Sequence, residues 1–155
     1  MDILKFLTPP ADAQLEDIYV ANDDSGWIQT DKEGKAFLKV LWTSKSGGWA
    51  VLYRWKKGFI APPHKHLGSI HAFIYSGRLK IRDIILAAGD YMYEPNGMMH
   101  PITEALEDTL QLNIADGPIL FYDEKNLTHY AGWEQMQRIK ERTQRAAPVA
   151  NEARG

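Results

Sequence analysis

Four of the five histidines sit in two blocks that could share one piece of chemistry. His64, His66 and His71 fall within GFIAPPHKHLGSIHAFIYSG, Gly58 to Gly77, and His100 closes a second block, GDYMYEPNGMMH. On an extended backbone His64 and His66 project to the same side, about 6.6–7 Å apart. From there two imidazoles can meet one metal at about 2.0–2.1 Å per bond. Pro95 fixes a turn and Gly97 permits a positive φ, so the chain reverses just before His100. A hairpin between the blocks brings His100 back against His64 and His66. Three neutral imidazoles with open positions left describe a catalytic rather than a closed structural metal site. His71 is a further potential ligand. His129, in NLTHYAGW, has no such context and reads as a surface or packing residue.

The elements that must position these residues are strands. The chain has 155 residues, the size of one domain. Its formal charge of −2 offers no basic stripe for nucleic acid or an anionic membrane. There are no cysteines, which removes disulfides, thiolate metal sites and cysteine nucleophiles together. No apolar run approaches the ~18 residues of a membrane span, and the first residues lack the pattern of a secretory signal. A cytoplasmic protein is the expectation.

Residues 1–35 read as an N-terminal arm and residues 36–123 as a β-structured body. Expected strands are Ala36–Thr43, Trp49–Lys56, Ala72–Tyr75, Leu79–Ile85, Asp90–Tyr93, Thr109–Ile114 and Ile119–Tyr122. Turn signals separate them, a spacing that implies a β-sandwich or barrel. Residues 124–147 read as a loop and a helix, with Trp133, Met136 and Ile139 along one side and Pro148 as its stop. Residues 148–155 are an expected disordered tail. Trp49, Val51, Tyr53 and Trp55 share one face of their strand. Leu110, Leu112 and Ile114 share another, which puts Gln111 and Asn113 on the opposite side, facing either solvent or a ligand cavity.

The two histidine blocks resemble the motifs of the cupin superfamily. The first motif is glycine, five residues, H-x-H, three or four residues, glutamate, six residues, glycine. The second is glycine, five residues, P-x-G, two residues, histidine, three residues, asparagine. The second block matches from Gly89 through His100, with Glu104 in place of the asparagine. The first matches through His66; His71 then stands in the place of the glutamate, and Gly77 comes one residue early. The resemblance implies an all-β, single-domain double-stranded β-helix, or jelly-roll barrel, with the arm and the C-terminal helix added. It also implies His64, His66 and His100 as metal ligands. His71 either completes a four-histidine site, stands behind the ligands, or hydrogen-bonds substrate or bound water.

The short chain, the missing glutamate and the GW before the helix look most like the β-diketone (acetylacetone-cleaving) dioxygenases and the dihydroxyacetophenone dioxygenases. That resemblance implies a small oligomeric enzyme, a homodimer or homotetramer, with one non-haem Fe(II) per chain; Zn(II) or Ni(II) also suit imidazole. Histidine-only ligation leaves the full +2 charge on the metal, favouring an enolate. The expected chemistry binds a 1,3-dicarbonyl or hydroxyketone as a bidentate enolate, adds O2 and breaks a C–C bond. Glu94, before the Pro95 turn, and Arg82, between the blocks, are expected to orient ligands or gate the pocket as an ion pair. Tyr53, Trp55, Phe73 and Tyr75 are expected to wall the pocket, with Gln111 and Asn113 bonding substrate if they face it. The competing expectations are a Zn or Ni cyclase, isomerase or hydrolase, and a non-catalytic metal-binding sensor, since related cupin domains occur in zinc-containing anti-sigma factors.

Overall fold

The computed structural model of the chain describes Thr8 and residues 17–145. The expected disordered tail, and most of the arm before residue 17, lie outside the described residues. Among the described residues the strands form one six-stranded and two four-stranded sheets. The large sheet runs β1 (Trp27–Gln29), β2 (Ala36–Thr43), β3 (Trp49–Trp55), β12 (Thr109–Ala115), β6 (Ile70–Ser76) and β9 (Tyr91–Glu94). The second runs β10 (Met99–His100), β5 (His64–His66), β13 (Ile119–Tyr122) and β14 (Leu127–Ala131). The third runs β4 (Ile60–Ala61), β11 (Thr103–Ala105), β7 (Arg78–Ile81) and β8 (Ile84–Ala87). This is the all-β cupin jelly roll that the motifs imply.

Two apolar clusters tie the sheets together. Val40, Trp49, Val51 and Ile70 of the large sheet pack with Ile119 of the second and with Met136. Ile74 of the large sheet packs with Leu79, Ile81, Leu86 and Ala105 of the third. Trp49 is fully buried, and its indole Nε1 donates to the Gly117 carbonyl at 3.0 Å, which removes the cost of burying that N–H.

Helix α1 (Trp133–Arg145) starts where expected. Gln135 accepts from the Gly132 N–H at 2.8 Å, satisfying a donor left free at the helix start. Met136 is the buried residue of its apolar side, flanked by Trp133 and Ile139.

Strand expectations fail in two ways. Leu79–Ile85 is not one strand: the chain turns at Arg82, at φ 53°, between β7 and β8. The shortest strands, β1, β4, β5, β10 and β11, and β14 within the expected loop of residues 124–147, exist because partners supply their ladders, which no local propensity announces.

Outside the sandwich, residues 20–23 lie over the outer face of the large sheet, held by a buried lysine. Lys39 Nζ donates to the Ala21 carbonyl at 2.8 Å and to Asp23 Oδ1 at 3.1 Å. Bonds from Ser25, then from Lys39, hold the Asp23 carboxyl down at about 2 against an ordinary 3.8. A depressed carboxyl contributes stability above its ordinary pKa, and that contribution fades as pH falls through the folded value. The segment around residues 20–26 is therefore expected to loosen in hydrogen exchange as pH drops from 3.8 toward about 2. Lys39→Met is expected to open it at neutral pH and to lower Tm by about 4–8 °C.

Candidate metal centre

Strand β5 carries the H-x-H pair and is paired on both sides. His64 stands opposite His100 of β10 on one side and Phe121 of β13 on the other, while His66 stands opposite Ile119. The Pro95–Gly97 turn sets that register. Gly97 adopts φ 87°, its N–H donates to the His66 carbonyl at 2.9 Å, and the His66 N–H donates to the Met98 carbonyl at 2.9 Å. The turn joining the blocks is thus bonded directly to a ligand residue. Behind it, Gly68 and Gly117 let two turns touch: a Cβ on Gly68 would lie 2.4 Å from the Gly117 nitrogen. This fixes β5 against β13.

The three rings form a near-equilateral triangle. Centroids are 5.1 Å apart for His64–His66, 4.9 Å for His64–His100 and 4.9 Å for His66–His100. One nitrogen of each lies within 4.8 Å of the other two. His66 and His100 are buried and His64 half-buried. Burial pushes the His66 imidazolium down to about 4 and lowers that of His64, so both rings are neutral near pH 7, the form that donates to a metal. His64 Nδ1 lies 2.9 Å from the Pro62 carbonyl, which fixes it as the N–H and frees Nε2.

Glu94, at the end of β9, brings the one carboxylate. Its Oε1 lies 2.8 Å from His100 Nε2, and its Oε2 3.9 Å from His66 Nδ1. Burial pushes its carboxyl up, but the adjoining His100, with His66 and His64, more than offsets this and holds it below the ordinary range. His66 Nδ1 and His100 Nδ1 are buried without a hydrogen-bond partner, while His100 Nε2 meets the Glu94 carboxylate. Orphaned buried donors and acceptors cost about 1–3 kcal/mol each, so their convergence is what a site built for an ion requires. Imidazole nitrogens with a carboxylate suit Fe, Zn, Ni or Cu. The residues present therefore fit a divalent transition metal.

The histidines open into a cavity of about 360 Å³ between the sheets. Its walls are mainly apolar, including Leu38, Trp55, Phe59, Ile70, Ile81 and Leu86. Tyr53, Gln111 and Asn113 line it as well. For β12 the question of solvent or cavity is settled: Gln111 is 3% exposed and faces inward, whereas Ile114 is 42% exposed on the outer face.

Several expected site residues stand elsewhere. His71 is not beside the other histidines; it alternates outward with Phe73 and Tyr75 while Ile70, Ala72 and Ile74 point in. Its Nδ1 contacts the Tyr91 hydroxyl at 2.7 Å. Phe73 and Tyr75 pack edge to face on that outer surface, so neither walls the pocket. Arg82 makes no ion pair with Glu94. Its guanidinium donates to the Met99 carbonyl at 2.8 Å from the β7–β8 turn. Among the described residues the cluster that could hold an ion is His64, His66 and His100, and the Glu94 carboxylate stands beside it from β9.

Phe121 and His129 were not recognised in the sequence as pocket residues. Their rings stack at 4.2 Å, and Phe121 lies 5.3 Å from His64, so the pair walls the cavity beside the histidines. The alternation of Ile119 and Phe121 on one face was the available signal, but only the pairing of β13 with β5 gives it meaning.

In fold the chain is similar to an acetylacetone dioxygenase from Acinetobacter johnsonii, with a TM-score of 0.76 and 18% identity over 88% of this chain and 99% of that one. An RmlC-like cupin from Ralstonia eutropha JMP134 matches with a TM-score of 0.74 and 20% identity, over 86% of this chain and 90% of that one. A chain in the complex of Rhodobacter sphaeroides SigE with the anti-sigma ChrR matches at 0.54 and 18%, over 61% of this chain and 51% of that one. No curated protein matches significantly in sequence. The ChrR cupin-like domain matches residues 15–120, most of the sandwich and all three clustered histidines. The chain belongs to this family of cupins.

Proposed function

We propose that the chain is a metal-dependent dioxygenase that cleaves a carbon–carbon bond of a β-diketone or hydroxyketone, with Fe(II) held by His64, His66 and His100. The observation that carries the reading is the triangle of imidazoles, with one buried carboxylate beside it, opening into a mainly apolar cavity. Likeness of fold to an acetylacetone dioxygenase supports it. Held by His64, His66 and His100, a divalent ion would supply Lewis acidity and redox capacity at the cavity.

The chain's own residues have separable tasks. His64, oriented through Pro62, leaves Nε2 free and would hold the ion with it. Glu94 is ionised at neutral pH and accepts the proton that a 1,3-dicarbonyl gives up on becoming an enolate. The walls from Leu38 to Phe59 keep water from the carbanionic carbon. Among the described residues no helix is long and apolar enough to cross a membrane.

The family match favours one other reading, a metal-dependent binding domain without catalysis. Metal analysis of protein purified without added metal, with an oxygen electrode and acetylacetone as probe, decides between them. Iron near one per chain with O2 uptake is the expected result; zinc without uptake, unchanged by Fe(II) loading, supports the binding domain.

Replacing His100 by Ala is expected to abolish metal retention through dialysis, whereas His71→Ala is expected to retain it at the wild-type level. Loss of metal in the His71 variant would restore a fourth histidine to the site. Glu94→Gln keeps the shape and removes the base. It is expected to hold metal while kcat drops about 10²–10⁴-fold, and equal losses of metal and rate would instead make Glu94 a ligand.

A further inference from the structure

Away from the histidines the cavity carries polar groups that the metal does not explain. Gln111 is 3% exposed, and its amide Nε2 has no hydrogen-bond partner. Asn113, two residues on along the same inward face of β12, leaves its side-chain Oδ1 equally unpartnered. Both line the cavity. One orphaned donor and one orphaned acceptor therefore stand side by side in an apolar wall. Each orphan is a standing cost to the fold unless something enters to satisfy it.

Strand registers place these groups relative to the metal. Ala115 of β12 lies abreast of Ile70, and Ile70 abreast of Glu94. Asn113 is one inward step further down the strand, opposite Ala72, and Gln111 is two steps down, opposite Ile74. At the rise of a strand those steps are about 7 Å and about 13 Å. Tyr53 stands directly across from Gln111 on β3 and also lines the cavity. Burial pushes its hydroxyl up to about 12, so the group across from Gln111 is an uncharged phenol at neutral pH. The volume of about 360 Å³ falls in the range of pockets for drug-sized ligands, and is room for about a dozen waters. A five-carbon diketone held at the histidines would leave the Gln111 end unfilled.

We propose that Gln111 and Asn113 form a distal recognition point for a neutral hydroxyl on an apolar chain that extends from the metal-binding head. The hydroxyl oxygen accepts from Gln111 Nε2, and its proton is donated to Asn113 Oδ1. Gln111 and Asn113 carry no charge with which to pair a carboxylate or an ammonium, so a neutral hydroxyl is the end that suits them. The assignment of the head rests on the diketone reading above; the distal point does not.

The test compares two pairs of probes by isothermal titration. The first pair carries the head: nonane-2,4-dione and its 9-hydroxy derivative, titrated into zinc-loaded protein so that no turnover occurs. The expected result is an affinity advantage of about 10–100-fold for the hydroxy compound, falling to about one in Gln111→Leu and in Asn113→Leu. The second pair lacks a head: hexan-1-ol and its isomer 1-methoxypentane, titrated into metal-free protein, where only the alcohol can donate. A preference for the alcohol that Gln111→Leu removes supports the distal point whatever happens at the metal. If that preference holds while neither dione binds, the diketone reading fails and the distal point stands. Equal binding within both pairs, or an advantage that survives both leucine variants, overturns the proposal. The leucine variants also carry a readout without ligand. Removing an unsatisfied amide should hold or raise Tm, and a large fall would show that the amides serve the fold.

Discussion

The pairing of β5 with β10 and β13 is the constraint on which the rest of the site depends. A three-residue strand has almost no stability of its own. His64–His66 is extended because His100 and Met99 lie on one side of it and Ile119 to Phe121 on the other. Slipping that register by one residue would turn Lys65 inward and both imidazoles out. The bonds between His66 and the Pro95–Gly97 turn prevent the slip, since the turn is pinned to the backbone of a ligand residue itself. Ligand geometry and sheet register are thus one property, and the glycines at 68 and 97 are conditions for both.

That coupling explains what was legible in the sequence. His64, His66 and His100 could be read because spacing within an extended segment and a turn before a histidine are local facts. Strands Ala36–Thr43 and Ile119–Tyr122 were read to the residue for the same reason: each is a run of apolar or β-branched residues between turns. The position of Glu94 was legible, but its closeness to His100 was not. The carboxylate arrives by way of the β6–β9 pairing and the turn after it, a long-range contact with no periodic signature. His71 misled for the converse reason. Motif spacing put it in a ligand's place, but β6 alternates strictly, and Ile70, Ala72 and Ile74 take the inward positions.

The carboxylate changes the electrostatics from what a histidine-only set would give. Three neutral rings leave a divalent ion at +2, while Glu94 within 2.8 Å of one ring brings the local sum toward +1. On the proposed reading such a site would still favour an anionic chelate, though less strongly, and Glu94 would be the group placed to take the proton that makes the chelate anionic. Burial keeps the parts in the right states. Desolvation holds His64 and His66 neutral, and the adjoining rings keep Glu94 ionised despite it.

A filled sandwich would have made β12 easy to orient, because the apolar face would point in. Here the order is reversed. Leu110, Leu112 and Ile114 lie on the outer face beside Phe73 and His71, and Thr109, Gln111 and Asn113 turn toward the interior. Period-two reasoning finds the two faces but cannot say which one meets the core when the core contains a cavity. The inversion is itself the informative signal. A strand in the middle of the large sheet that spends its apolar residues outside and buries two amides inside serves something other than packing. Apart from Ala115, the apolar contacts on this face come from the neighbouring strands, through Val51, Ile70 and Ile74.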